Sequence, residues 1–240
     1  MLAGDSPFAP GRTPGRAVDA LPPTERRRIN ETSRLACLAA GDALAALPPG
    51  AAMTLPSVFA SSDGDGVVLA QVLNALAQRD VAVSPTAFHN SVYNAPAGYW
   101  SIATRASAPS TTVCADSASF AVALLEGYVQ LQANGGSVLV VAVDAPYPEP
   151  LRDLGASVAA FSCALVLECP EQPAAGPWLG RWTTCSASGP APDVDGIASA
   201  FAGNSAAAAL PLLRALARRD GMQVALPYVD GTWLELEVSP

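Results

Sequence analysis

The segment Ala108-Pro109-Ser110-Thr111-Thr112-Val113-Cys114-Ala115-Asp116-Ser117-Ala118-Ser119 sets a thiol and a hydroxyl where a β-branched run gives way to an apolar stretch. A strand that turns abruptly into a helix needs small neighbours, here Ala115 and Ala118. It holds its central side chain at the positive end of the helix. A serine or cysteine so placed can attack a carbonyl once a base takes its proton. The chain holds one histidine, His89, which precedes this elbow. Without a second base candidate, Ser117 reads as a small residue that lets the elbow form rather than as a nucleophile. Cys114 precedes the turn on the strand and reads as a buried structural thiol. His89 either lies at a subunit interface or accepts a hydrogen bond in the core, the second being favoured.

Other chemistries are disfavoured. No CxxC occurs among Cys37, Cys114, Cys163, Cys169 and Cys185, and the histidine lies far from any cysteine cluster, so no metal site is expected. The loop Ser62-Asp63-Gly64-Asp65-Gly66 is Gly-rich and opens a helix, but its two aspartates would repel phosphate; no cofactor is expected. A net charge of −8 argues against nucleic acid and against acidic membrane surfaces. The basic run Arg26-Arg27-Arg28, after Glu25, reads first as a solvated face and second as a contact for an acidic partner. Odd in number and set mostly in apolar runs, the cysteines read as buried thiols in a reducing cytoplasm. The N-terminus lacks the charged-then-apolar order of a signal peptide. No stretch approaches the ~18 uninterrupted apolar residues of a spanning helix.

The elements that would position these groups can be read from period and punctuation. Residues 1–23, rich in Pro, Gly and Ala, predict an extended lead-in, with one domain over 24–240. A helix is expected from Asn30, its cap, to Ala46, stopped by Pro48-Pro49. Residues 53–61 read as a buried strand despite Pro56, and 67–79 as a helix after the acidic loop. An aromatic-rich loop and short helix (84–100) precede strand 110–115 and helix 117–132, which ends at Asn134-Gly135-Gly136. The run 137–144 has the continuous β-branched character of a strand buried on both faces. Strands at 161–168 and 177–187, a helix over 204–219 and a hairpin around Asp230-Gly231 complete the pattern. Alternating strands and helices predict an α/β fold in layers. Half the chain is apolar, much of it alanine, so elements are expected to approach closely.

The elbow segment resembles that of the β-ketoacyl synthases of the thiolase superfamily, whose form is Gly-Pro-Ser, a β-run, then Asp-Thr-Ala-Cys-Ser-Ser before an apolar helix. Three more segments fall in the family's order. Residues 84–100, SPTAFHNSVYNAPAGYW, match its S-P-x-x-F-x-x-S segment. ANGGSVLVVAVDAP matches the strand after the elbow helix, and ASVAAFSCALVLE a segment ending in A-L-V-L-E. Together these cover roughly residues 30–170. The resemblance implies a thiolase-like layered fold, a shortened ketosynthase-type αβαβα.

The departures decide the implied function. Counted from Ala108-Pro109-Ser110, the family's cysteine falls at Ser117, and Cys114 falls three residues early. The two histidines that the family uses in its C-terminal half are absent; NSAAAALPLLRALA resembles the helix that should carry one. An elbow without its cysteine is the pattern of chain length factors, which pair with an active ketosynthase and shape the tunnel that limits chain length. The segment Leu21 to Arg28 is similar to that of the short forms found in aryl polyene pigment clusters.

A non-catalytic subunit of a heterodimer or higher assembly with a catalytic ketosynthase, served by an acyl carrier protein in polyene, polyketide or fatty-acid-type chain elongation, is thus implied. The alternatives are a serine acyltransferase or hydrolase using Ser117, and a purely structural homodimer. By position, 67–78 and 86–100 would meet the partner near the acyl chain. They hold Val68, Gln71, Val72, Ala75, Phe88, Tyr93, Tyr99 and Trp100, of which Val68, Gln71, Val72, Ala75 and Phe88 are candidates for tunnel or gate. Thr111, Thr112, Val113, His89 and Tyr93 are candidates for the dimer interface, and Arg26, Arg27 and Arg28 for carrier-protein contact.

Overall fold

The computed structural model describes residue 2 and residues 17–78, 81–149, 151–154, 159–169, 176–186, 197–219 and 221–240. Its helices are α1 (Pro23–Arg28), α2 (Glu31–Ala43), α3 (Gly66–Ala77), α4 (Pro85–Asn90), α5 (Ala95–Thr104), α6 (Ser119–Asn134), α7 (Ile197–Ala200) and α8 (Leu210–Arg218). Its strands are β1 (Ser57–Ala60), β2 (Ser110–Val113), β3 (Gly136–Asp144), β4 (Phe161–Cys169), β5 (Trp178–Cys185), β6 (Met222–Pro227) and β7 (Trp233–Ser239).

Two sheets result. The first runs β2-β1-β3-β4, with β1 parallel to both β2 and β3 and β4 antiparallel to β3. The second, β5-β7-β6, is antiparallel throughout. Strand alternation sorts the first sheet's side chains into two cores. Phe59, Leu139, Val141 and Val143 face Leu35, Ala36 and Ala40 of α2 with Tyr99 and Trp100 of α5. Val58, Ala60, Val138, Val140 and Ala142 face Phe120, Ala121 and Leu124 of α6. That second core continues through Ala209, Leu212 and Ala215 to Val224, Leu226, Leu234, Leu236 and Val238 of the second sheet. The order of layers is helix, sheet, helix, sheet, which gives four layers of the expected αβαβα stack.

Small residues set the spacing, as the alanine content predicted. A Cβ on Gly127 of α6 would lie 2.7 Å from Val140 Cγ2, so only glycine lets this helix sit so close to β3. Local signals also act as read. The Asn30 side chain accepts from Ser33 N–H and caps α2, and Asp65 accepts from Val68 N–H and caps α3.

Several expectations need correction. The predicted lead-in fails at its end. Ala17–Ala20 form a 3-10 helix, and Val18 and Leu21 are buried against α2 and α5 because both are apolar and within reach of that core. Residues 1 and 3–16 lie outside the described residues. Helix α2 ends at Ala43, ahead of the prolines, and 84–100 is mostly two helices, since Ser84 caps α4 and Pro96 fits the first turn of α5. The helix expected over 204–219 is a 3-10 turn, Ser205–Ala209, followed by α8.

Candidate functional site

Parallel β1, β2 and β3 end at one edge of the first sheet, where open α/β sheets bind ligands. Ala60 stands level with Val113 and with Ala142, so Ser61, Cys114 and Asp144 emerge close together. The elbow is tight. Asp116 turns in the left-handed region at φ 48°, which Asp tolerates better than most residues. A 3-10 turn, Asp116–Ala118, then leads into α6.

Almost every polar group here is held by another. Ser61 O accepts from the Cys114 thiol at 2.9 Å and lies 3.2 Å from the Ser119 hydroxyl. Ser119 Oγ donates to Asp116 O at 2.7 Å and accepts from Ala115 N–H. Asp144 Oδ1 accepts from the hydroxyls of Ser61 and Ser62 and from Ser62 N–H. Its Oδ2 accepts from Ala206 N–H at 3.0 Å, so the carboxylate joins the end of β1 to the turn before α8. Asn204 Nδ2 donates to the carbonyls of Asp144 and Ala159 on the same seam.

Burial raises the Asp144 pKa, against the opposing pull of those hydrogen bonds. With four donors on it, this carboxyl is a brace and not a free base. Burial around the sulfur, then the negative Asp63 and Asp144, push the Cys114 thiol up to about 11. Such a thiol is almost wholly protonated at neutral pH and is a poor nucleophile.

Ser117, where the resemblance led us to expect the family's cysteine, sits exposed on the 3-10 turn. Its hydroxyl has no hydrogen-bond partner among the described residues. His89 is exposed on α4, edge-on to the Tyr99 ring at 5.9 Å. The expectation of a core hydrogen bond for His89 is therefore corrected. So is that of a buried Cys114: Cys114 and Cys169 are exposed and Cys185 is half-buried, while Cys37 and Cys163 are buried with thiols raised to about 12.

The other candidates divide by environment. Thr111, Thr112 and Val113 are half-buried on β2, the outermost strand of its sheet. Val68 is buried at the start of α3, Val72 and Ala75 are half-buried, and Gln71, Phe88 and Tyr93 are exposed, Phe88 to 65%. Tyr99 and Trp100 are buried beneath α2 and cannot line an open wall. Arg26 donates to the carbonyls of Asp19 and Leu21, Arg28 pairs with Glu25 at 3.8 Å, and Arg27 is exposed.

Sequence reasoning passed over Asp144, Asn204 and Ser61. A signal existed for the first: Asp144 is the sole charged residue of the buried run 137–144. Tyr147 was passed over too. Its ring lies so close to Gly66 that a Cβ there would come within 2.3 Å of it. Burial, then the nearby Asp63, raise its pKa, although its buried hydroxyl makes no well-formed hydrogen bond.

Among the described residues no group of three or more His, Cys, Asp or Glu could hold a metal ion. No described helix is long and apolar enough to cross a membrane. No curated protein matches the chain.

Solved structures do match. A ketosynthase in complex with its chain length factor from Xenorhabdus doucetiae contains a chain 24% identical, at a TM-score of 0.69, over 90% of this chain and 81% of that one. A type II polyketide synthase acyl-carrier protein in complex with its ketosynthase bound to the hexaketide gives a TM-score of 0.70 at 13% identity, over 92% and 85% of the two chains. A β-ketoacyl synthase from Burkholderia phymatum gives 0.54 at 17% identity, over 69% of this chain and 47% of its own. At these identities the likeness is one of fold. The model of the β-ketoacyl synthase N-terminal domain matches residues 4–233, and the chain belongs to that family.

Proposed function

We propose that this chain is a non-catalytic subunit of the chain-length-factor type, pairing with an active β-ketoacyl synthase in polyene or polyketide chain elongation. The aryl polyene class is the favoured setting. The observation that carries the reading is the state of the elbow. The nucleophile position holds an exposed serine without a bonded base, and the neighbouring thiol is tied to Ser61 O and protonated at neutral pH. The chain keeps the family's scaffold without its chemistry.

What it offers a partner is surface. Helix α3 carries no charged residue, yet only Gly66 and Val68 of it are buried; Val67, Leu69, Leu73 and Leu76 are exposed, Leu76 to 66%. Phe88, Val92 and Tyr93 extend the patch. An uncharged apolar face of this kind suits an obligate protein interface rather than a transient acidic visitor. On this reading the ketosynthase covers it, with the edge of β2 pairing to its counterpart. At least one of Gln71, Val72, Ala75 and Phe88 limits the acyl chain, while Arg27 and Arg28 are left to meet an acyl carrier protein. Co-expression with candidate ketosynthases followed by co-purification tests the pairing. Wild type should elute as a complex and Val113→Asp should not, since an unpaired charge buried at an interface costs about 2–5 kcal/mol. An intact, soluble Val113→Asp complex would remove β2 from the interface.

A further inference from the structure

Helices α3 and α4 form an arm that packs on itself more than on the body, and two buried polar side chains tie it to one place. At the root of α3, Asp65 caps the helix through Oδ1, while Oδ2 accepts from the Thr32 hydroxyl at 3.0 Å and from Thr32 N–H at 3.4 Å. At the end of α4, Asn90 Nδ2 donates to Arg28 O at 2.7 Å, and Oδ1 accepts from the Tyr99 hydroxyl at 2.9 Å. Asn30 Nδ2 closes the contact by donating to Asn90 O at 3.3 Å. Thr32, Asp65 and Asn90 are all buried. Both ties therefore meet the stretch Arg28–Thr32, where α1 passes into α2. The apolar residues Leu69, Leu73, Leu76 and Phe88 that the ties carry remain exposed. These three buried groups are satisfied only with the arm in this seat, so a shift of the arm would strand them away from water.

We infer that Asn90 and Asp65 are positioning residues that fix the α3–α4 arm, and with it Phe88 and Ala75, at the height where the ketosynthase partner and its acyl chain meet it. The inference rests on the pairing proposed above. It adds that chain length is set by the polar ties behind the arm as well as by the side chains at its surface. Loosening either tie lets the arm shift and spreads the product lengths, although neither residue reaches the tunnel.

Two substitutions loosen the ties by separate routes. Thr32→Val removes one hydroxyl and leaves the Asp65 cap in place. Asn90→Asp keeps the acceptor for Tyr99 but sets an oxygen against Arg28 O; acidification toward about pH 5 returns a proton that can donate there. In the co-purified complex, each variant should broaden or shift the product-length distribution and weaken partner binding about tenfold, the scale of one lost buried hydrogen bond. The Asn90→Asp defect should recede on acidification, whereas the Thr32→Val defect should not.

Hydrogen exchange on the full chain without partner reads the ties independently. Amides of 67–77 and 86–90 should exchange faster in both variants, with those of α6 unchanged. Faster arm exchange with unaltered product lengths and affinity would overturn the positioning role, as would unchanged arm exchange. If wild type itself neither binds a ketosynthase nor alters its products, the pairing fails, and the exchange data still decide whether the ties hold the arm.

Discussion

The elbow and the α3–α4 arm meet at the turn Ser61–Gly66, the elbow by bonding to Ser61 O and the arm by continuing into α3, and they treat their surfaces in opposite ways. Around the elbow, the groups that could do chemistry bond one another: the Cys114 thiol to Ser61 O, Ser119 to Asp116 O, and Asp144 to Ser61, Ser62 and Ala206. Along the arm, Leu69, Leu73 and Leu76 stand exposed where a free-standing protein would place charge. The first region satisfies its own polar groups, while the second leaves apolar side chains open to solvent. On the proposed function, the braces of the elbow serve as structure and the arm serves as the surface offered to a partner.

If the elbow is a brace, breaking it should harm folding most of all. Asp144→Ala strands two hydroxyls and two amide N–H groups at a buried seam. A loss of about 3 kcal/mol or more in unfolding free energy is expected, read by denaturant titration. The pH dependence sharpens this. Burial raises the folded-state pKa of Asp144, so the native chain binds the extra proton. This group's contribution is complete below the unfolded carboxyl pKa and is lost as pH rises through the folded value. Asp144→Asn should flatten that part of the profile.

The arm should respond the other way. Leu73→Asp with Leu76→Asp should change the stability of the free chain by less than about 0.5 kcal/mol each, as exposed positions do. The same pair should abolish co-purification with the ketosynthase, whereas a retained complex would show that the arm faces elsewhere. Smaller still are the gate effects. Ala75→Phe should shorten the products and Phe88→Ala lengthen them with the complex intact. Mass spectrometry of the products checks this, against a discrimination of ~1–3 kcal/mol per methylene.

Legibility in the sequence followed the physics of each region. The run 137–144 announced β3 because a strand covered on both faces must be apolar throughout. The hairpin around Asp230-Gly231 was legible from its turn residues, and in β7 the alternation of Leu234, Leu236 and Val238 with Glu235 and Glu237 fits a sheet covered on one face. The caps Asn30 and Asp65 were legible because their partners lie three residues away. Asp144 and Asn90 were not, because their partners lie as far as 83 and 62 residues away and no local pattern encodes such contacts. Helix α3 was read as a helix, but its lack of any charged residue, which leaves an uncharged apolar face exposed, went unused. His89 was expected in the core, but it lies on a six-residue helix whose buried positions are taken by Ala87 and Asn90.

On the proposed function this chain performs no chemical step of its own, and the variant Ser117→Ala decides the matter. Turnover of a malonyl-carrier substrate by the reconstituted complex should be the same with the variant as with wild type. The exposed hydroxyl has no bonded base to lose, and the alternative of a serine acyltransferase or hydrolase rests on it alone. A drop of about a hundredfold or more, the scale on which removing a catalytic group acts, with the complex still assembled, would contradict the account and make Ser117 a nucleophile.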